Sequence, residues 1–162
     1  MDSDSWQLRP GERISVRRRL ADGGQTDAIG YLVEVDPTRL LVEDRRGGLI
    51  TIERESILAL RRVAPALGRD PASAPDELLA ELLGRAGLRG EGRRVRISDL
   101  LADQVPPATV FHERGTWTDG RYRARVEGEW LITDAPTGPL LIALTWWAAR
   151  QGARSVLQVT PG

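Results

Sequence analysis

An α+β fold is the class this sequence predicts: a small N-terminal β-barrel followed by a mixed segment in the order β-β-α-β. Three observations point to it. Between Pro10 and Val63, apolar and charged residues alternate at period two in short runs separated by turn signals. The stretch 65–75 then carries prolines, a glycine and small residues with no periodicity, which reads as a linker. Beyond it, residues 76–162 hold two apolar runs of helical length and three further strand-like runs.

The barrel is assigned to residues 8–64. Ile14, Val16 and Leu20 alternate with Arg13, Ser15, Arg17 and Arg19, the pattern of a half-buried strand. Arg18 breaks the inward face and predicts a bulge or a strand end. Asp22, Gly23 and Gly24 turn the chain. Thr26 to Val35 is a second strand, and Gly30 in its middle predicts a bulge or sharp bend. Asp36 and Pro37 make the next turn. Arg39 to Asp44 and Leu49 to Glu53 form a hairpin about the loop 45–48. Glu55 and Ser56 predict a short helical turn before a fifth strand, Ile57 to Arg62. Closure of the five strands into a barrel would remove exposed edges.

In the segment 76–162, Asp76 to Leu83 predicts a short helix with Leu78, Leu79, Leu82 and Leu83 as its apolar stripe and Gly84 as its stop. Arg85 to Arg96, rich in Gly and Arg, predicts irregular chain. Ser98 to Gln104 predicts a second short helix. Arg121 to Glu127 and Glu129 to Asp134 flank Gly128 as a hairpin. Pro139 to Gln151 is apolar on nearly every side, which predicts a helix buried by the chain or covered by a partner. Ser155 to Val159 is the last strand. Adjacent Trp146 and Trp147 point about 100° apart, so one is expected on the hairpin near Trp130 and the other against the barrel or a second subunit.

Composition bounds the function. The 23 basic and 23 acidic side chains cancel, which argues against gripping nucleic acid through net charge. All the basic residues are Arg. There is no cysteine, so disulfides, thiol catalysis and zinc–thiolate sites are excluded. The acidic start is unlike a signal peptide. The longest apolar run, Pro139 to Ala149, is shorter than the roughly 20 residues a bilayer requires. A cytoplasmic protein with no membrane association is the expectation.

Few residues invite catalysis. His112 is the only histidine; beside Glu113 it has the makings of a proton relay, but no Gly-x-Ser-x-Gly elbow accompanies it, and an exposed loop position is the favoured reading. Glu127 and Glu129 flank a turn and are expected to face water. Arg13, Arg17 and Arg19 share one outward face, where cross-strand ion pairing is favoured over phosphate contacts. A methyl-lysine cage needs several aromatic rings, and only Trp6 and Tyr31 lie in the barrel region.

Two segments carry a resemblance. The runs GERISVRRRL (Gly11 to Leu20), TDAIGYL (Thr26 to Leu32), Val35 to Pro37 and GLITI (Gly48 to Ile52) resemble the N-terminal Tudor/SH3-like domain of actinobacterial histone-acetyltransferase-like GNAT proteins. The run from Leu140 to Val159 is similar to the helix and following strand of the GNAT acetyl-CoA motif. The resemblance implies a small SH3-like β-barrel followed by a partial GNAT-like β-β-α-β segment, with acetyl transfer from acetyl-CoA to an amine as the ancestral reaction. In that family a loop of the form Gln/Arg-x-x-Gly-x-Gly/Ala before the helix holds the coenzyme pyrophosphate on backbone N–H groups. Here the loop is Asp134-Ala-Pro-Thr-Gly-Pro: one glycine, two prolines, and an acid at its start. Pro139 has no N–H to offer. Thr137 and Gly138 are the remaining candidate coenzyme-binding residues. The family's next helix and strands do not follow. The resemblance therefore implies a degenerate or truncated acetyltransferase. The alternative is a non-catalytic interaction or dimerisation module, whose barrel and Trp-bearing helix bind another protein or a second copy.

Overall fold

The structure, a computed structural model, describes residues 7–64, 67–102, 104–107 and 111–160. The chain divides into two units, Met1–Ala64 and Pro65–Gly162.

The first unit is one antiparallel sheet. Its strands are β1 (Arg13–Arg19), β2 (Gln25–Val35), β3 (Arg39–Glu43), β4 (Leu49–Glu53) and β5 (Ile57–Arg62), in the spatial order β4-β3-β2-β1-β5. Period-two patterning sends Ile14 and Val16 of β1 inward, where they meet Ala28, Leu32, Leu40, Val42 and Ile52 in a core with almost no exposure. Three aspartates fix the turns by accepting backbone N–H groups: Asp22 from Gly24 (2.8 Å), Asp36 from Thr38 and Arg39 (2.8 Å each), Asp44 from Arg46 and Gly48 (2.8 Å each).

The expected barrel does not close. Among the described residues β4 and β5 do not pair with one another, so the sheet is open. The reason lies in their connection. A 3₁₀ turn at Arg54–Ser56 redirects the chain, and β5 spends its ladder hydrogen bonds on β1. The irregularity expected at Arg18 is present, as a register shift between Arg17 and Arg18 in the β1–β5 ladder. The one expected at Gly30 falls elsewhere: the β2–β3 register shifts between Leu32 and Glu34. Gly30 serves close approach instead. A Cβ there would stand 2.2 Å from the Glu43 carbonyl oxygen and 2.8 Å from Val42 Cγ1.

The second unit contains α1 (Asp76–Ala86), β6 (Gly92–Arg96), α2 (Ile97–Leu101), β7 (Thr116–Thr118), β8 (Arg123–Glu127), β9 (Trp130–Thr133), α3 (Pro139–Arg150) and β10 (Ser155–Val159). Its sheet has the order β6-β10-β9-β8-β7. Only β9 and β10 run parallel, and α3 is the crossover between them. Leu79 and Leu82 of α1 pack on Ile132 and Leu157, on one face of the sheet. Leu131 and Val156, fully buried, belong to the opposite face by alternation.

Several sequence expectations change here. The helix α1 passes through Gly84 and ends at Gly87, whose left-handed backbone (φ 67°) closes the last turn. The segment read as irregular contains β6, paired with β10 from Gly92↔Val159 to Arg96↔Ser155. The short strand β7 had no signal. The linker is ordered in part, with a 3₁₀ turn at Pro71–Ser73 capped by Asp70, which accepts the Ala72 N–H at 3.1 Å. Trp146 (8% exposed) and Trp147 (3%) are both buried, so α3 does not present one of them on an open face. Trp147 donates its indole N–H to the Glu113 carbonyl (2.7 Å), and Gln151 accepts the Gly115 N–H (2.7 Å), which ties the loop 111–115 to the end of α3. No helix among the described residues is long and apolar enough to cross a membrane.

Two consequences are measurable. Gly30→Ala should lower the stability of the first unit by about 1–3 kcal/mol, because neither the Glu43 carbonyl nor the packed Val42 can retreat; denaturant unfolding checks it. The Asp36 carboxyl, held by the N–H groups of Thr38 and then Arg39, titrates at about 2. A depressed folded pKa contributes stability above the unfolded value, near 3.9, and that contribution fades as pH falls through the folded value. Asp36→Asn should therefore destabilise the unit at neutral pH, with the difference from wild type shrinking between about pH 4 and pH 2.

Candidate functional site

Thr137 and Gly138, the residues the resemblance assigns to coenzyme, lie in the turn that leads into α3. Gly138 has φ 148°, a conformation that favours glycine, and its carbonyl accepts the Ile142 N–H (3.2 Å). Pro139 stands at the first helical position, so one of the N–H groups that a helix start offers is missing. Beneath the turn, β9 and β10 pair at four consecutive positions, from Trp130↔Ser155 to Thr133↔Gln158, with no gap between the strands. Gln158, 6% exposed, donates its side-chain amide to the Ala135 carbonyl (2.9 Å) and to the Thr137 hydroxyl (3.3 Å). The strand end is thereby stitched to the loop above it. Asp134 does not point its charge at the turn: its carboxylate accepts the Arg123 N–H of β8 at 2.7 Å.

The remaining polar candidates are dispersed. His112 is exposed in the loop before β7. Glu127 is not simply solvated: it pairs with Arg125 (2.8 Å) and Arg85 (2.8 Å), which hold its carboxyl below the ordinary glutamate value, Arg125 most strongly. Arg85 also pairs with Glu81. Glu129 lies 3.7 Å from Arg154. On the first unit's outer face, Arg17 grips Asp27 through two hydrogen bonds (2.9 and 3.2 Å), the cross-strand pairing expected there.

The most distinctive site is the seam between β4 and β5. At either end of the β3–β4 ladder, the Asp44 N–H donates to Gly48 O (2.8 Å) and the Arg54 N–H to Thr38 O (2.9 Å). Antiparallel ladders alternate hydrogen-bonded with non-hydrogen-bonded pairs. Val42–Ile50 and Leu40–Ile52 are then the bonded pairs, and Leu49, Thr51 and Glu53 aim their N–H and C=O groups away from β3, along the free edge. Two of those carbonyls are capped: Arg18 Nη1 donates to Thr51 O (3.2 Å) and Ser56 Oγ to Glu53 O (2.6 Å). What the edge still offers is the N–H groups of Leu49, Thr51 and Glu53 and the carbonyl of Leu49. A cavity of about 540 Å³ opens beside it, lined by Arg18, Arg19, Leu20, Thr51, Glu53 and Leu58 among others. Arg18 Nε is closed off from solvent and has no hydrogen-bond partner among the described residues.

Residues 8–61 match the family model of the Rv0428c N-terminal Sm-like domain. The match spans the five-stranded sheet with its 3₁₀ turn and stops within β5. Neither the curated proteins nor the solved structures contain a match to the chain. Within the Sm-like segment the seam was only faintly legible. Arg18, a cation at an inward register position, was the available signal. Nothing marked Ser56 or the outward groups of Thr51, because edge status is a property of the assembled sheet.

Gln158→Leu should cost about 1–3 kcal/mol, since it leaves the Ala135 carbonyl without its donor in a buried position; the unfolding midpoint of the second unit reads this. Because the depressed Glu127 pKa contributes stability above the unfolded glutamate value, the destabilisation caused by Glu127→Gln should diminish as pH is lowered through that range, as an acid titration of stability would record.

Proposed function

We propose that this chain is a non-catalytic interaction module, whose Sm-like segment takes an extended stretch of another polypeptide along the free edge of β4. The observation that carries the reading is the outward direction of the backbone groups of Leu49, Thr51 and Glu53 beside an open cavity. An unpaired strand edge is a template for strand addition, in which main-chain hydrogen bonds supply affinity and neighbouring pockets supply specificity. The partner is thus a protein segment in β conformation. The exposed Leu49 (60%) gives such a segment an apolar contact at the start of the edge.

A second reading keeps the ancestral reaction, acetyl transfer from acetyl-CoA to an amine. It is favoured by the β9–α3–β10 crossover, in which a helix start with Thr137 and Gly138 follows the end of a strand. Against it stand the unbroken β9–β10 pairing, Gln158 bound to the loop, and the missing N–H of Pro139. A coenzyme threaded at this strand end requires parted strands and amides free to converge on a diphosphate.

Two measurements separate these readings. Acetyl-CoA at micromolar concentration should leave the melting temperature of the full chain unchanged; a saturable rise would favour the acetyltransferase. Amide exchange should be slow at Ile50 and Ile52 and fast at Leu49 and Thr51 in the free chain. A bound strand should slow the latter two. Slow exchange at Thr51 in the free protein would rule out the open edge.

A further inference from the structure

We propose that the second unit carries a site for a small uncharged aromatic heterocycle, with Ser155 and Trp130 as its hydrogen-bonding floor. The site is independent of the strand edge in the first unit and of the loop before α3. A cavity of about 610 Å³ opens between α1, the turn Pro71–Ser73 and the β8–β9 hairpin. Small-molecule sites span roughly 300–1,000 Å³. Trp130 and Ser155 are register partners of the parallel β9–β10 pair, so their side chains leave the sheet next to one another. They do so on the face of Ile132 and Leu157, on which α1 packs. Ser155 is only 4% exposed. Neither side chain makes a hydrogen bond among the described residues, and neither the hydroxyl nor the indole N–H is closed off from solvent. A nearly buried hydroxyl without a partner carries a desolvation cost that a ligand removes.

The walls decide what kind of ligand fits. Pro71, Pro75, Leu78 and Leu82 make them apolar. The charged groups around the cavity answer one another: Arg125 and Arg85 take the two Glu127 oxygens (2.8 Å each), Arg85 also holds Glu81, and Glu129 lies 3.7 Å from Arg154. Ser73 donates to the Asp70 carbonyl (2.8 Å), and the Asp70 carboxylate accepts the Ala72 N–H (3.1 Å). Arg69 is exposed, where water solvates it. A charged ligand would give up its hydration without meeting a counter-ion on the floor, a cost an uncharged one does not carry. The indole only donates, and the hydroxyl can donate too, so an acceptor on an otherwise apolar frame suits both. A ring nitrogen or ring carbonyl supplies it, and the flat frame around it packs on Trp130.

The test uses the full chain and three related probes: quinoline, naphthalene and N-methylquinolinium. Titrations are read by calorimetry and on the indole ¹⁵N–¹H resonance of Trp130, assigned with Trp130→Phe. Quinoline should shift that resonance and saturate. Naphthalene, though more hydrophobic, should bind no more tightly, and N-methylquinolinium, which has a charge and no acceptor, should not bind. Ser155→Ala should weaken quinoline about fivefold, as expected for one neutral hydrogen bond, and leave naphthalene unchanged. Because it removes a hydroxyl without a partner, it should not lower the melting temperature of the free chain. A tighter grip on naphthalene than on quinoline, or a Ser155→Ala effect that is absent or equal for both, overturns the acceptor assignment. Binding of the cation as tight as that of quinoline overturns the uncharged class. If quinoline at millimolar concentration leaves the Trp130 resonance in place, the proposal falls, while the strand reading of the first unit is untouched.

Discussion

A β-strand presents hydrogen-bonding groups to both sides, and a five-stranded sheet that does not close leaves two of those sides without a neighbour. Most of what is distinctive in the N-terminal unit follows from that constraint. The 3₁₀ turn at Arg54–Ser56 sends β5 to β1. The outward groups of β4 must then find water, a side chain or another polypeptide. Arg18 and Ser56 satisfy two carbonyls from within the chain. The N–H groups beside them and the Leu49 carbonyl remain, a donor and acceptor row of the kind an added strand pairs with. A residue that looks like a patterning error along β1 is, in three dimensions, the cap of a strand three places away in the sheet.

The C-terminal unit answers to a different constraint. Parallel neighbours need a crossover, and α3 supplies it between β9 and β10. A helix that packs on the sheet, on α2 and under the loop 111–115 has little solvent face left, which is why its sequence is apolar nearly all round. Its buried threonine, Thr145, bonds back to the Leu141 carbonyl at 2.6 Å and needs no outside partner. The same tight pairing works against a coenzyme reading of the loop above, because Gln158 spends its amide on Ala135 and Thr137.

Much of the fold was legible because its signals are local. Alternation placed β1 to β5, aspartate and glycine marked the turns, and Arg18 marked the register shift. The elements that escaped lack such signals. In β6 the face toward α1 bears Gly92, Arg94 and Arg96 rather than aliphatic residues, and Arg94 works as a cap, donating to the carbonyls of Ala72 and Ala74 (3.2 Å each) and pairing with Asp76 (2.9 Å). β7 holds three residues, too few to show a period. Gly84 read as a helix stop, yet the helix tolerates it and ends where Gly87 adopts a left-handed turn.

The sequence by itself determined the strand and helix periods, the turn chemistry, the absence of thiol chemistry and the neutral charge, since each is a property of composition or of residues a few positions apart. Only the tertiary structure decided that the first sheet stays open, that both tryptophans of α3 are buried, that β9 and β10 meet without a gap, and that Arg18 reaches Thr51. Those are pairings between residues far apart in the chain. Alternation states which way a side chain faces but not which strand lies beside it, and the edge of a sheet exists only once its neighbours are in place.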